Sequence, residues 1–562
     1  MEFDYVVIGA GSAGCVVANR LASSERFSIG LIEAGGKDNH PWIHIPVGYF
    51  KTMGNPRTDW CYKTQPDTGL NGRSINWPRG KTLGGSSSIN GLLYVRGQPE
   101  DFEHWRQLGN EGWAWNDVLP YFKKTENWEG ASDETRGKGG PIQVSKNRVE
   151  KDIVKAWLEA AVNKGYKWTD DYNQESQEGV GYFQMTMANG LRCSAAKAYL
   201  STLKGNKNIE IFTNVQTTKI LIKKKIAIGV EVIMGGERKK IRARKEVILC
   251  AGAIGSPQLL MLSGLGDQKE LSKHGIEPLV HLPGVGKNLQ DHLQARPVYK
   301  CNASTINVET QSLYKTISMG VEYLFKRSGP MAMAASLGTG FLRTDNALDT
   351  PDIQYHIQPF SADRVEDGPH KFSAFTASVC QLRPESRGHL EIVSSNPEDY
   401  PKIYPNYLST KKDCDIMVKA IQITREICQV EPVASLITEE FAPGIAVDLN
   451  DYDKTLNWIR DTATTIYHPV GTCKMGKDKS SVVDEKLKVR GVDRLRVVDA
   501  SIMPTITSGN TNAPTLMIGE KASDLIIKES YQTCCVKLNS VRILAVFYTS
   551  PIMFPIAFHQ NY

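Results

Sequence analysis

The chain has 562 residues, 41% of them hydrophobic and 23% charged, with a formal net charge of +6. That length exceeds what one hydrophobic core holds and requires two or more lobes. The weak positive charge is spread along the sequence, with no Lys/Arg tract interleaved with aromatics, so a nucleic-acid partner is not expected. The eleven cysteines are scattered without Cys-x-x-Cys pairs, as in a cytoplasmic chain of reduced thiols without a disulfide framework or zinc site.

The chain opens directly on a strand, MEFDYVVIGAGSAG, which leaves no room for a secretory signal. The apolar run Tyr5 to Ile8, then Gly9, Gly11 and Gly14, a helical Ala/Val/Leu pattern and a second apolar run ending at Glu33 make a βαβ dinucleotide fingerprint. Gly9 makes the turn, Gly11 lets a pyrophosphate approach the backbone, and Gly14 lets helix and strand pack closely. Glu33 is placed for ribose hydroxyls and repels a 2′-phosphate, which disfavours NADP. The fingerprint alone leaves FAD and NAD open; no second copy is found, since Gly284–Gly286 and Gly338–Gly340 lack the third glycine.

Next comes WPRGKTLGGSSSINGLLYVRG, from Trp77 to Gly97, where Arg79, Lys81, Gly84, Gly85 and three serines can converge amides and hydroxyls on a phosphate or ring edge. EVILCAGAIGSPQLLMLSGLG reads as a buried strand, a glycine turn and a helix starting near Ser256-Pro257; scaffold and cofactor contact are equally open for it. IYHPVGTCKMG, from Ile466 to Gly476, is a turn presenting His468. SGNTNAP precedes a helix expected over 515–527. The tail from Cys534, interrupted by Arg542, Pro551 and Pro555, is too short and broken for a membrane span and is expected to be a disordered extension.

These blocks, with VVDASIMPTITSGNTNAPTLMIGEKASDLI near the end, resemble the glucose–methanol–choline family of flavoprotein oxidoreductases over about Phe3 to Ile527. The resemblance implies an α/β fold, α+β overall: a Rossmann-type FAD domain assembled from discontinuous segments (1–298 and 461–530) and a substrate domain (299–460) on an antiparallel sheet flanked by helices, with 531–562 an atypical tail. It implies FAD, held by Gly9, Gly11, Ser12, Gly14, Glu33 and Ala34 at the ADP part. Thr82, Gly85, Ser86, Asn90, Gly91, Leu92 and Leu93 would run past pyrophosphate and flavin. Val215 would meet the adenine through its backbone, and Asp499, Ala500, Asn510 and Thr511 would close over the ring system.

The resemblance also makes His468 the active-site histidine and Asn512 the residue beside it, with Tyr467 a candidate substrate wall. An imidazole takes the hydroxyl proton, an amide holds the oxygen, and the hydride goes to the flavin. The implied reaction is FAD-dependent oxidation of a primary alcohol to an aldehyde, with electrons leaving to a quinone, a carrier or oxygen. Choline dehydrogenase and an oxygen-using alcohol oxidase are the alternatives, and a flavin-binding protein without turnover is the reading from another class. Covalent flavin attachment is open, with His104 as one candidate. Peripheral association with the inner face of a membrane is also left open, as is the oligomeric state.

The other ten histidines are scattered, and each is expected on the surface or satisfied in the core and not at a metal; His292, in NLQDHLQ, follows an apolar turn and stands out from them. Cys473 is expected to be a packing residue.

Overall fold

The computed structural model describes residues 1–363 and 368–547, with 533–547 as helix backbone alone. The apolar run of the fingerprint forms the strand Glu2–Ile8, whose last four residues are buried. It lies parallel between Ile29–Ile32 and the C-terminal half of the long strand Glu237–Leu249. Ile209–Phe212 extends the sheet beyond Ile29–Ile32, and Leu495–Val497, from far down the chain, pairs parallel with Val247–Leu249. Val215–Lys223 and Ile226–Met234 add an antiparallel meander, completing a seven-stranded sheet. Val6, Val7, Ile29, Leu31, Val247 and Ile248 are fully buried; strands covered on both faces read as continuous apolar runs, as these do.

The second sheet has eight strands, all antiparallel. Its centre is Ala374–Gln381, buried throughout, between Ile353–Gln358 and Val298–Cys301. The sheet also takes Gly179–Tyr182 and Leu293–Ala295 from before residue 299 and Thr464–Thr465 from after 460. The chain therefore crosses between the layers more often than the three-segment division expected from sequence. The helix Lys411–Cys428 covers one face, seating Met417, Ile421 and Ile427.

Two elements differ from the sequence reading. The helix expected to begin at Ser256-Pro257 spans Gly252–Leu262, with Pro257 inside it. Proline removes the hydrogen bond to the carbonyl four residues back; here that carbonyl, of Ala253, accepts from the Thr472 hydroxyl at 2.6 Å instead. Ser256 is not a cap; its hydroxyl binds the Asp499 carboxylate. The last helix runs Asn512–Phe547, beyond both bounds expected, so residues 531–547 are helical and the tail's remaining residues, 548–562, lie outside the described ones. Among the described residues no helix is long and apolar enough to cross a membrane.

Candidate active site

A cavity of about 350 Å³ opens between the two sheets. At one end it is bounded by the first βα turn. Gly9 has φ +93°, and a Cβ there would lie 2.5 Å from the Cys250 carbonyl oxygen; a Cβ on Gly14 would lie 1.9 Å from the Gly9 oxygen. Both glycines are required by the chain itself. A Cβ on Gly11 would meet protein only at 4.0 Å, so Gly11 leaves room on the cavity side. The helix Ser12–Ala22 starts there with no side-chain cap, and its first amides have no intrahelical partner. Bare amides and an open backbone at a helix N-terminus fit a pyrophosphate.

The strand Ile29–Ile32 delivers Glu33 to the same end, 6% exposed. Its carboxylate accepts the Ala10 amide at 2.8 Å and the Gly35 amide at 2.9 Å, and burial raises its pKa to about 7 against the pull of those two donors and of Lys81. Lone pairs remain for a ribose diol. These features together fit the ADP portion of a dinucleotide.

The other end is built by two antiparallel segments, Asn288–Ala295 and Thr464–Val470. Gln290 and Val470 exchange both backbone hydrogen bonds, and the Ile466 amide donates to the His292 carbonyl at 3.1 Å. Between them Tyr467 takes a left-handed φ of +71°, a conformation that costs a non-glycine residue on the order of 1–3 kcal/mol unless its surroundings hold it. They do: the Tyr467 amide donates to the Thr465 hydroxyl at 2.6 Å, and its carbonyl accepts from the Arg79 guanidinium at 2.5 Å. The next amide, of His468, donates to the buried Asp291 carboxylate at 2.7 Å. Asp291 also accepts the Thr465 and Tyr407 hydroxyls; burial raises its pKa to about 6 against those bonds and the charge of Arg79.

The His468 ring is thereby aimed between two partners. Its Nε2 lies 3.0 Å from the Asn510 amide nitrogen and its Nδ1 lies 3.0 Å from Nδ1 of His292. His292 Nε2 lies 2.9 Å from the Leu382 carbonyl. An amide nitrogen only donates and a carbonyl only accepts, so one assignment satisfies all three contacts. Asn510 donates to His468 Nε2, His468 Nδ1–H donates to His292 Nδ1, and His292 Nε2–H donates to Leu382. The Gln354 amide reaches the Asn510 oxygen at 3.4 Å and supports that orientation. Burial, followed by the nearby His292, His356 and Arg79, holds the His468 pKa well below the ordinary imidazole value, and burial lowers His292 to about 4. Both rings are neutral at pH 7. The Nε2 lone pair of His468, at the cavity wall, is the ring's one site for a further proton and is held by the Asn510 amide.

Comparison with known proteins identifies the family. The GMC oxidoreductase family models match residues 3–294 and 384–519, N-terminal and C-terminal parts in order. The chain belongs to the GMC oxidoreductase family. It is 42% identical to an oxygen-dependent choline dehydrogenase of Vibrio vulnificus (strain YJ016), over 94% of each chain. It is 41% identical to "Alcohol dehydrogenase [acceptor]" of Pseudomonas putida, over 94% of this chain and 96% of that one. The crystal structure of pyridoxine 4-oxidase from Mesorbium loti superposes with a TM-score of 0.84 at 30% identity, covering 93% of this chain and 98% of that one. The protein is an FAD-dependent oxidoreductase, and the fold expected from the resemblance is the one observed.

Most of the residues expected to touch the cofactor of a GMC protein line the cavity: Gly9, Gly11, Ser12, Glu33, Ala34, Gly85, Ser86, Asn90, Gly91, Leu92, Leu93, Val215, Asp499, Ala500, Asn510 and Thr511. Tyr467 and His468 line it too. Gly14 and Thr82 do not: Gly14 sits under the turn, and the Thr82 hydroxyl binds the Gly36 carbonyl behind the wall. The Val215 amide is taken by the Glu33 carbonyl at 3.0 Å, so it is not available to an adenine. The Asp499 carboxylate points away, accepting the Gly252 and Ser501 amides.

Asn512, expected beside His468, lines the cavity but turns its side-chain oxygen to the Ser12 hydroxyl at 2.7 Å; Asn510 takes the place at the imidazole. The reason is local. Asn512 is the first residue of the last helix, which packs on the first, whereas Asn510 lies in the bend before it. His104, the candidate for covalent flavin, is exposed on the helix Pro99–Gln107; the histidines lining the cavity are His356 and His468.

The sequence reading missed Asp291, Gln294, Arg296 and His356, and it named Arg79 only for phosphate or ring contact. His356, expected on the surface or satisfied, instead lines the cavity with Nδ1 unpartnered and its ring stacked on Phe183. The one signal for Asp291 was its place next to His292 in NLQDHLQ.

Proposed function

We propose that the protein oxidises primary aliphatic alcohols to aldehydes and passes the electrons to an acceptor other than a nicotinamide. The observation that carries the reading is the pairing of His468 Nε2 with the Asn510 amide, 3.0 Å apart at the cavity wall. An alcohol oxygen arriving there displaces that contact: it accepts from the Asn510 amide in place of Nε2 and donates its proton to the Nε2 lone pair so freed. His468 Nδ1–H, held by His292, keeps that lone pair available. Because burial depresses the imidazole pKa, the ring takes the proton only as negative charge leaves the α-carbon, which couples the two events. FAD bound along the cavity supplies the hydride acceptor and the route out for two electrons.

Charge favours a neutral alcohol over choline. Among the described residues the charged side chains lining the His468 end are Arg79 and Arg296, with no carboxylate beside them. Trp60 and Tyr62 stack at 5.8 Å with Tyr400 edge-on to Tyr62, but Lys81 already sits 4.5 Å over the Trp60 ring. A quaternary ammonium site needs aromatic faces free and a counter-charge. The choline dehydrogenases among the relatives keep the alternative of choline in play. Anaerobic bleaching of the flavin by 1-hexanol and by choline separates the two: faster reduction by hexanol at equal concentration supports the reading, and faster reduction by choline overturns it.

A further inference from the structure

The helix Leu313–Lys326 stands out from the substrate layer with its apolar side in solvent. Tyr323 alone of its fourteen residues is buried, its hydroxyl donating to the Gly190 carbonyl at 2.9 Å. Leu313, Tyr314, Ile317, Val321, Leu324 and Phe325 are half or more exposed, Tyr314 at 82% and Phe325 at 79%. At about 100° per residue these six fall within an arc of about 120°, and Tyr323 lies outside it. A surface helix of a globular protein turns such a stripe inward; this one turns it out. Contiguous apolar surface of this kind marks an interaction site.

The charges around the stripe identify the partner. Lys315 and Lys326 are exposed on one flank. The one acid of the helix, Glu322, is half-buried on the lysine flank with its carboxylate accepting the Ser328 hydroxyl at 2.8 Å, so two cations face one engaged acid there, and Glu309 just before the helix is paired with Lys151. Arg327 at the end lies over the Tyr323 ring. The exposed side therefore carries apolar groups and cations. An apolar stripe with an aromatic near each end and a cationic flank is the pattern of a helix lying in the headgroup region of an anionic bilayer. A helix of fourteen residues is too short to cross one.

We infer that this helix docks the protein on an anionic membrane surface, its axis in the plane of the headgroups. The chain continues from the helix through Pro330–Ala332, which packs on Pro46–Gly48, to Ala335 and Ser336 in the cavity wall. The docked face and the cavity are thus joined by one short segment, next to Tyr49 and Phe50 of the lining.

The test uses the full flavin-loaded chain and sedimentation with vesicles of phosphatidylcholine containing phosphatidylglycerol. Wild type is expected to partition onto these vesicles, less so at high salt. The variant Ile317→Asp, Leu324→Asp, Phe325→Asp, whose exposed side chains leave flavin content and melting unchanged, is expected to lose at least about tenfold in partitioning. Lys315→Glu with Lys326→Glu is expected to weaken binding to the mixed vesicles and not the remaining binding to pure phosphatidylcholine. Wild type left in the supernatant overturns the inference. So does a triple variant that partitions like wild type, which would move binding to the C-terminal tail. A triple variant that changes only from dimer to monomer in sedimentation velocity also overturns it, and makes the face a contact between two copies.

Discussion

The Nδ1 atoms of His292 and His468 lie 3.0 Å apart, and one proton is shared between them. Because the Leu382 carbonyl takes the Nε2 proton of His292, the shared proton belongs to His468, and its other nitrogen is left as the base. His292 is a positioning residue in this arrangement. His292→Ala removes the acceptor that holds the tautomer and is expected to slow flavin reduction by alcohol about 10- to 100-fold, the size of one buried hydrogen bond of about 1–3 kcal/mol. His292→Gln, whose side-chain oxygen can accept in the same place, is expected to recover most of the rate. Equal rates in the two variants would contradict the assignment.

Asn510 and Asn512 differ by two positions and are expected to differ in kind. Asn510→Ala takes away the donor that meets the substrate oxygen and is expected to lower kcat/KM by about 10²-fold with flavin content unchanged. Asn512→Ala breaks the contact with Ser12 at the start of the cofactor helix, and its expected effect is a lower melting temperature or flavin occupancy with turnover per flavin preserved. Steady-state kinetics normalised to bound flavin distinguishes them; a turnover loss in the Asn512 variant alone would reverse the roles.

The pH profile follows from the depressed imidazole. The working form of His468 is neutral, and its pKa lies well below 6.5, chiefly through burial. Lowering a base's pKa moves the acid limb of kcat/KM to lower pH. Activity toward a neutral alcohol is therefore expected to stay level as pH falls from 8 through the ordinary imidazole range near 6.5, and to decline only below it. An acid limb centred at or above 6.5 would contradict the environment described for His468.

Arg296 lines the His468 end of the cavity, and its charge is expected to weigh against a cationic substrate. Arg296→Ala should raise kcat/KM for choline relative to hexanol by about tenfold, as an order of magnitude for removing one like charge at partial burial. An unchanged ratio would mean that shape and not charge sets the preference.

The parallel sheet was legible because each of its parts is local: an apolar run, three glycines, a helical pattern and Glu33 follow one another within one βαβ unit. His468 was legible through the family resemblance; its turn, with Pro469 and with Gly471 at φ +90° in the structure, shows by itself only that a side chain is presented. What escaped was whatever depends on pairing across the chain. Asp291 and His292 reach His468 from 177 and 176 residues away, by the register of two short antiparallel segments. The choice between Asn510 and Asn512 turns on where a helix begins, and GNTN reads equally well for both. The start of the helix holding Pro257 was misplaced because the donor that compensates the proline, Thr472, lies 219 residues beyond the Ala253 carbonyl it binds.

The central claim is that His468 takes the proton whose loss releases the hydride, and anaerobic stopped-flow reduction of the flavin by 1-hexanol tests it most directly. The account predicts that His468→Ala stays yellow, with flavin content near wild type, and is reduced about 10² to 10⁴ times more slowly, the range for removing a positioned base. A fully loaded His468→Ala variant that bleaches at the wild-type rate would contradict it.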